Sequence, residues 1–162
     1  MVKSVLQKPF KLAFLIVILT AAICSFRLLP DMGQLLGWSN KTLALVYDPS
    51  GEVKLKKWEL TITDDFFLRF RKTYQNGKQE YYSCHLHSFN DLDYSGTTAK
   101  GLLKISTTAD DIIVQTYNDR KGDIDSMTTT LTIPVKNMEP EQVDSLRNAL
   151  MAFKVNEPGI IR

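Results

Sequence analysis

Between Thr42 and Val135, apolar residues recur at every second position in short runs, and Gly, Pro, Asn or Asp cuts off each run. A chain patterned this way can bury only one face of each run, so it must build antiparallel sheet over a shared core. "TLALVYD" (42–48) opens the series, and Asp48-Pro49-Ser50-Gly51 suits a type I turn, with Pro second and Gly fourth. In "EVKLKKWELTIT" (52–63) the parity breaks: Val53 and Leu55 face one way, while Trp58, Leu60 and Ile62 fall on the other. A bulge near Lys56-Lys57 restores one apolar face. "FFLRFRKTY" (66–74) alternates cleanly, with Phe66, Leu68 and Phe70 opposed to Arg69 and Arg71. Asn76-Gly77 then marks a hairpin, expected as a type I′ turn. "YYSCHLHSFNDLD" (81–93) reads as one further strand, and "GLLKIST", "DIIVQTY" and "MTTTLTIPV" bring the set to about seven.

The period then changes to 3.6. Pro140 suits a first helical position, and Val143, Leu146, Leu150 and Phe153 make one apolar stripe, which predicts a helix over 140–154. Met138 and Val143 are spaced for a hydrophobic staple. Strands followed by a terminal amphipathic helix define an α+β chain, expected here as a small antiparallel sheet or open barrel. In element order alone it resembles the pleckstrin-homology-like superfold, in which a C-terminal helix plugs an open barrel. A lipocalin-like barrel is the alternative.

Charge is unevenly placed along the chain. Of twenty lysines and arginines, four (Lys3, Lys8, Lys11 and Arg27) lie in residues 1–30, which hold no acid. Residues 31–162 therefore carry sixteen bases against eighteen acids, a near balance that argues against nucleic acid as a partner. The basic start precedes fifteen uncharged residues, Leu12 to Phe26. Taken to Leu29, with Arg27 snorkelling, the segment spans roughly 27 Å as a helix, just enough for a bilayer core of about 30 Å. A transmembrane signal anchor, a signal peptide cut after the small residues Thr20-Ala21-Ala22, and a lipoprotein signal at Cys24 are the alternatives. In the anchor form, residues 12–29 engage cytoplasmic-membrane lipid, the N-terminus is cytoplasmic and the rest is periplasmic. Residues 31–41, loosened by Gly33 and Gly37, are expected as a tether, 42–156 as the exported domain, and 157–162 as a tail.

The chemistry-bearing residues are sparse. His85 and His87 share a strand face, which is compatible with a metal, but no third ligand accompanies them and Cys84 points the other way. Cys84 itself reads as a small buried hydrophobe. No nucleophile motif, paired carboxylate or phosphate-binding loop is evident, so neither an enzyme nor a cofactor is expected. Asp119, Asp123 and Asp125 miss the spacing of a calcium loop. The basic residues Lys54, Lys56, Lys57, Arg69, Arg71 and Lys72 fall on two strands joined by one turn, and Lys54, Lys56, Arg69 and Arg71 are the candidate partner-binding set.

These features imply a non-enzymatic, membrane-tethered binding domain, such as an accessory subunit of an envelope protein complex. A carrier of an apolar ligand and an immunity-type inhibitor are the alternatives. The anchor has a direct check: the intact mass of protein extracted from membranes should include residues 1–30. A mature N-terminus at Ile23 or Ser25, or a lipid on Cys24, rejects it.

Overall fold

A computed structural model describes residues 31–156. The signal or anchor segment 1–30 and the tail 157–162 lie outside the described residues, among which no helix is long and apolar enough to cross a membrane. The described chain is α+β. It begins with helix α1 (Met32–Val46) and continues through strands β1 (Leu55–Ile62), β2 (Phe67–Tyr74), β3 (Gln79–His85), β4 (Phe89–Thr97), β5 (Lys100–Thr107), β6 (Ile112–Tyr117), β7 (Asp125–Thr128) and β8 (Thr130–Lys136). Helix α2 (Pro140–Val155) ends it. The strands form two antiparallel sheets, of order β1-β2-β3-β6-β7 and β4-β5-β8.

The antiparallel sheets and terminal helix are as expected, but the strand order excludes the closed, lipocalin-like barrel that was the alternative. An up-and-down barrel pairs successive strands until it closes on itself. Here β3 pairs β6 and β5 pairs β8, and neither sheet closes. The reason lies at the two crossings where the chain leaves the five-stranded sheet for the three-stranded one. "YYSCHLHSFNDLD" is not one strand: a 3₁₀ turn at Leu86–Ser88 separates β3 from β4. "MTTTLTIPV" likewise breaks at Thr129, whose carbonyl accepts the Thr107 N–H (3.0 Å). The strand count is therefore eight.

The N-terminal part of the domain differs as well. Residues 31–41 are not a loose tether and 42–46 are not a strand; α1 runs through both. Its buried residues Ser39, Thr42, Leu43 and Val46 follow helical spacing, but two of the four are hydroxyl residues, so the apolar signal is diluted. Leu43 and Leu45, which period two placed on one face, separate: Leu43 is buried and Leu45 is exposed. Only Tyr47 retains a β-contact, an isolated bridge to Val135.

Elsewhere the alternation holds. Leu68, Phe70 and Lys72 point inward on β2 while Arg69 and Arg71 are exposed. The expected bulge is present, with register shifting between Leu55 and Lys57, although Val53 remains exposed. The Asn76-Gly77 hairpin forms, but as a three-residue loop. Gly77 N–H bonds to the Tyr74 carbonyl (3.1 Å) and Tyr74 N–H to that of Lys78 (2.9 Å), with only the glycine at positive φ (+86°). In β4, Gly96 is required by close approach: its φ is +136° and a Cβ there would meet the Gly101 Cα at 2.5 Å.

Both sheets turn one face to a single core that the two helices complete. Helix α2 is the predicted one, with Val143, Leu146, Leu150 and Phe153 buried and Met138 buried before it. Its start is held by Gln142, whose Oε1 accepts the Glu139 N–H (2.9 Å). The Phe153 ring stacks on Phe66 at 5.0 Å, joining α2 to the turn between β1 and β2. Phe153→Ala should therefore cost about 3–5 kcal/mol, read from urea denaturation. A loss under about 1 kcal/mol would show that α2 is dispensable to the core.

Candidate functional site

Register places the outward residues of the five-stranded sheet in rows. Glu59, Arg71, Tyr81, Gln115 and Asp125 cross it in one row, and Thr61, Arg69, Ser83, Ile113 and Met127 in the next. Arg69 and Arg71 are thus neighbours along β2, roughly 7 Å apart by strand geometry, near the middle of an outer face. They line a groove of about 280 Å³ with Glu59, Thr61, Thr63 and Tyr81. The Arg71 guanidinium lies 5.1 Å from the Tyr81 ring centroid and that of Arg69 lies 5.5 Å from Phe67. Resting on aromatic faces restricts both side chains and leaves their N–H edges to solvent. Neither makes an ion pair or hydrogen bond among the described residues, although Glu59 is the register partner of Arg71.

The other candidate bases do not join them. Lys54 adopts a left-handed backbone (φ +62°) in the turn before β1, and Lys56 sits in the bulge. Both are exposed, at the end of the sheet near the β2–β3 hairpin; the Lys54 carbonyl accepts the Gln75 N–H (2.9 Å). Lys57 lies on the arginine face instead.

Lys72, counted by sequence with the arginines, faces the opposite way. It is 8% exposed, and its ammonium donates to Glu52 (2.7 Å) and pairs with Glu80 (2.8 Å), its register partner on β3. The Tyr74 hydroxyl lies 2.9 and 3.1 Å from the same two carboxylates and shares its one hydrogen between them, and Lys78 links Glu80 (3.0 Å) to Asp119 (2.8 Å). Burial alone would lower the Lys72 pKa, but its bonds to Glu52 and Glu80 raise it well above the ordinary lysine range. Burial pushes Glu80 up, yet bonds from Lys72 and Lys78 outweigh it and hold the carboxyl below its ordinary 4.5. This network sets two ammoniums among three carboxylates and ties the turn end of the β2–β3 hairpin to Glu52 and Asp119. Alternation alone could have flagged it, since Lys72 shares parity with Leu68 and Phe70.

The histidines sit at the first sheet crossing. His85 ends β3 and His87 lies in the 3₁₀ turn. His85 Nδ1 accepts the His87 backbone N–H at 3.2 Å, and His87 Nδ1 lies 2.8 Å from that same nitrogen. With His85 Nδ1 accepting, the hydrogen between the rings belongs to His87 Nδ1, and His87 Nε2 takes the Ser88 hydroxyl (3.0 Å). The His85 ring also stands edge-on to Phe67. A metal on these Nδ1 atoms would have to displace that hydrogen. Among the described residues, no group of three or more His, Cys, Asp or Glu side chains could hold a metal ion. Cys84 is buried on the opposite face, and burial pushes its thiol up to about 12, far from the thiolate a nucleophile needs.

No protein-family model matches this chain, and comparison with curated proteins and with solved structures finds no similar protein.

The ionic network has a pH signature. A carboxyl held below its ordinary value stabilises the fold above that value and loses its contribution as pH falls through the lowered one. Melting temperature should accordingly hold steady from pH 7 to about 5 and drop below about 4.5. Lys72→Met leaves Glu52 without its ammonium and Glu80 with only Lys78, both partly buried, and should cost about 1–3 kcal/mol at pH 7. In that variant the acid-induced drop should be smaller, because Glu80 keeps only Lys78 to hold its carboxyl below the ordinary value. A wild-type pH profile in Lys72→Met would show that Lys72 does not govern these groups.

Proposed function

We propose that this chain is a non-enzymatic, membrane-tethered binding domain. It docks an anionic protein partner of the cell envelope on the outer face of its five-stranded sheet, through Arg69 and Arg71. One observation carries this: two guanidiniums on one sheet face, each laid on an aromatic ring, with no carboxylate paired to either among the described residues. A guanidinium fork fits a carboxylate with two parallel hydrogen bonds, and two forks about 7 Å apart match acidic side chains at alternate positions of an extended segment. Lys54 and Lys56 serve at the margin, extending positive potential toward the hairpin end, where they steer approach without forming the contact.

Two further features favour this proposal over its alternatives. A carrier of an apolar ligand needs an open interior, whereas the fully buried Tyr47, Phe70, Phe89 and Phe153 occupy the space between sheets and helices. The groove beside the arginines is shallow and polar, which suits a docked surface more than a sequestered substrate. For location, the basic start and apolar run of residues 1–30 support a domain held outside the cytoplasmic membrane.

The test reverses the charges. In detergent-extracted full-length protein, Arg69→Glu with Arg71→Glu should leave the melting temperature within about 2 °C, because exposed charges contribute little to folding. Recovery of the co-purifying partner should fall by about tenfold or more at low salt, and less at high salt. Unchanged recovery across a salt series would reduce the arginines to solubilising groups.

A further inference from the structure

The two sheets have four edges, and on three of them a helix or the segment after α1 makes hydrogen bonds or a bridge to one or two residues. On β1, the Asn40 side chain of α1 accepts the Ile62 N–H (2.6 Å) and donates to the Ile62 carbonyl (2.8 Å), as a neighbouring strand would. On β8, Tyr47 bridges Val135, and Asp48 N–H bonds to the Pro134 carbonyl (2.9 Å). On β4, Arg147 of α2 donates to the Leu92 carbonyl (2.7 and 3.1 Å) and Lys154 to that of Phe89 (2.5 Å). The fourth edge, β7, has no such cover among the described residues.

The ladder fixes what β7 offers. Thr116 N–H bonds to the Ile124 carbonyl (2.9 Å), so by alternation Ser126 and Thr128 also turn their backbones to β6. Asp125 and Met127 therefore turn their N–H and C=O groups outward, and both residues are exposed. Their side chains lie on the outer sheet face. Met127 adjoins its register partner Ile113, also exposed. Asp125 adjoins Gln115, beside a concavity of about 150 Å³ that includes Asp123, Tyr117 and Ile124. Neither Asp123 nor Asp125 has a cationic partner among the described residues.

We infer that β7 accepts an extended segment of a partner protein as a sixth strand, and that this segment carries a basic and an apolar side chain two residues apart. Backbone groups of Asp125 and Met127 supply the pairing, which any sequence can use. Selection comes from the outer face, where directly opposed side chains sit about 4.5–5.5 Å apart. The basic group meets Asp125 and the apolar group meets Met127 and Ile113. A second copy of this chain fits less well. Paired about Met127, about Asp125, or midway between them, it sets Thr129, Asp125 or Met127 against Asp125, and none of these is a cation. Its four-residue edge is also short for a stable dimer, which needs on the order of 1,600 Å² buried.

The experiment uses full-length protein in detergent and two seven-residue peptides, one alternating lysine and valine, the other glutamate and valine. The lysine peptide should bind saturably and slow hydrogen exchange at the Asp125 and Met127 amides, and the glutamate peptide should not. Met127→Pro removes only an outward N–H, which an edge strand tolerates, and should weaken binding about tenfold. Should that variant melt early, Asp125→Lys decides, because it should invert the peptide preference. Arg69→Glu with Arg71→Glu should bind the lysine peptide undiminished, so this edge stands or falls apart from the arginine surface. Equal binding of both peptides, or no effect of either β7 substitution, overturns the inference. So does a dimer that Met127→Pro dissociates, since the second copy would then be the occupant.

Discussion

An open sheet edge presents an unpaired N–H and C=O at every second residue, and two sheets that do not close into a barrel leave four such edges. The rest of this domain is arranged around satisfying them. Helix α1 lays the Asn40 amide against both backbone groups of Ile62, and its end runs on into the Tyr47 and Asp48 contacts with β8. Helix α2 packs its apolar stripe on the core and, from its flank, places Arg147 and Lys154 on the carbonyls of β4. Each helix thus buries apolar surface and closes an edge with the same docking. Core and edges are coupled for that reason: a helix displaced from its groove would also uncover backbone polar groups.

The crossings at Leu86–Ser88 and Thr129 make that arrangement necessary. By sending the chain to the second sheet after β3 and again after β7, they prevent successive strands from pairing round into a barrel. The paired histidines and Ser88 brace the first crossing, and the Thr107–Thr129 bond braces the second. His85 and His87, which strand geometry presents as potential metal ligands, are here bonded to each other where β3 gives way to a turn.

Charge is sorted by face with equal consequence. Lys72 and Arg71 are adjacent in sequence, yet one lies between two carboxylates inside and the other rests on Tyr81 outside. Burial obliges an ion to take partners, because an unpaired charge in the interior costs several kcal/mol. Exposure imposes no such demand, so guanidiniums with no ion pair among the described residues persist on the outer face. That contrast distinguishes the ionic network, which the fold itself requires, from the arginine face, which the fold does not use.

Period two in "FFLRFRKTY" was enough to determine which side of β2 is buried, and the stripe Val143, Leu146, Leu150 and Phe153 was enough to determine α2, because both patterns are local and carried by apolar side chains. The bulge at Lys56 was legible for the same reason, as a break in parity. Helix α1 was not, since its buried stripe includes Ser39 and Thr42, and the residues from Thr42 to Tyr47 also fit a strand. The Asn76-Gly77 turn was placed correctly but mistyped, because Asn favours positive φ without requiring it. Arg69 and Arg71 were legible as one face; that they lack partners, while Lys72 turns inward, was decided by register with β1 and β3. Which edges are covered could not be read locally at all. Asn40 reaches Ile62 and Arg147 reaches Leu92 only after distant segments have packed, so the sequence alone determined the strands' faces and α2, and tertiary packing decided which edge of the sheets was left open.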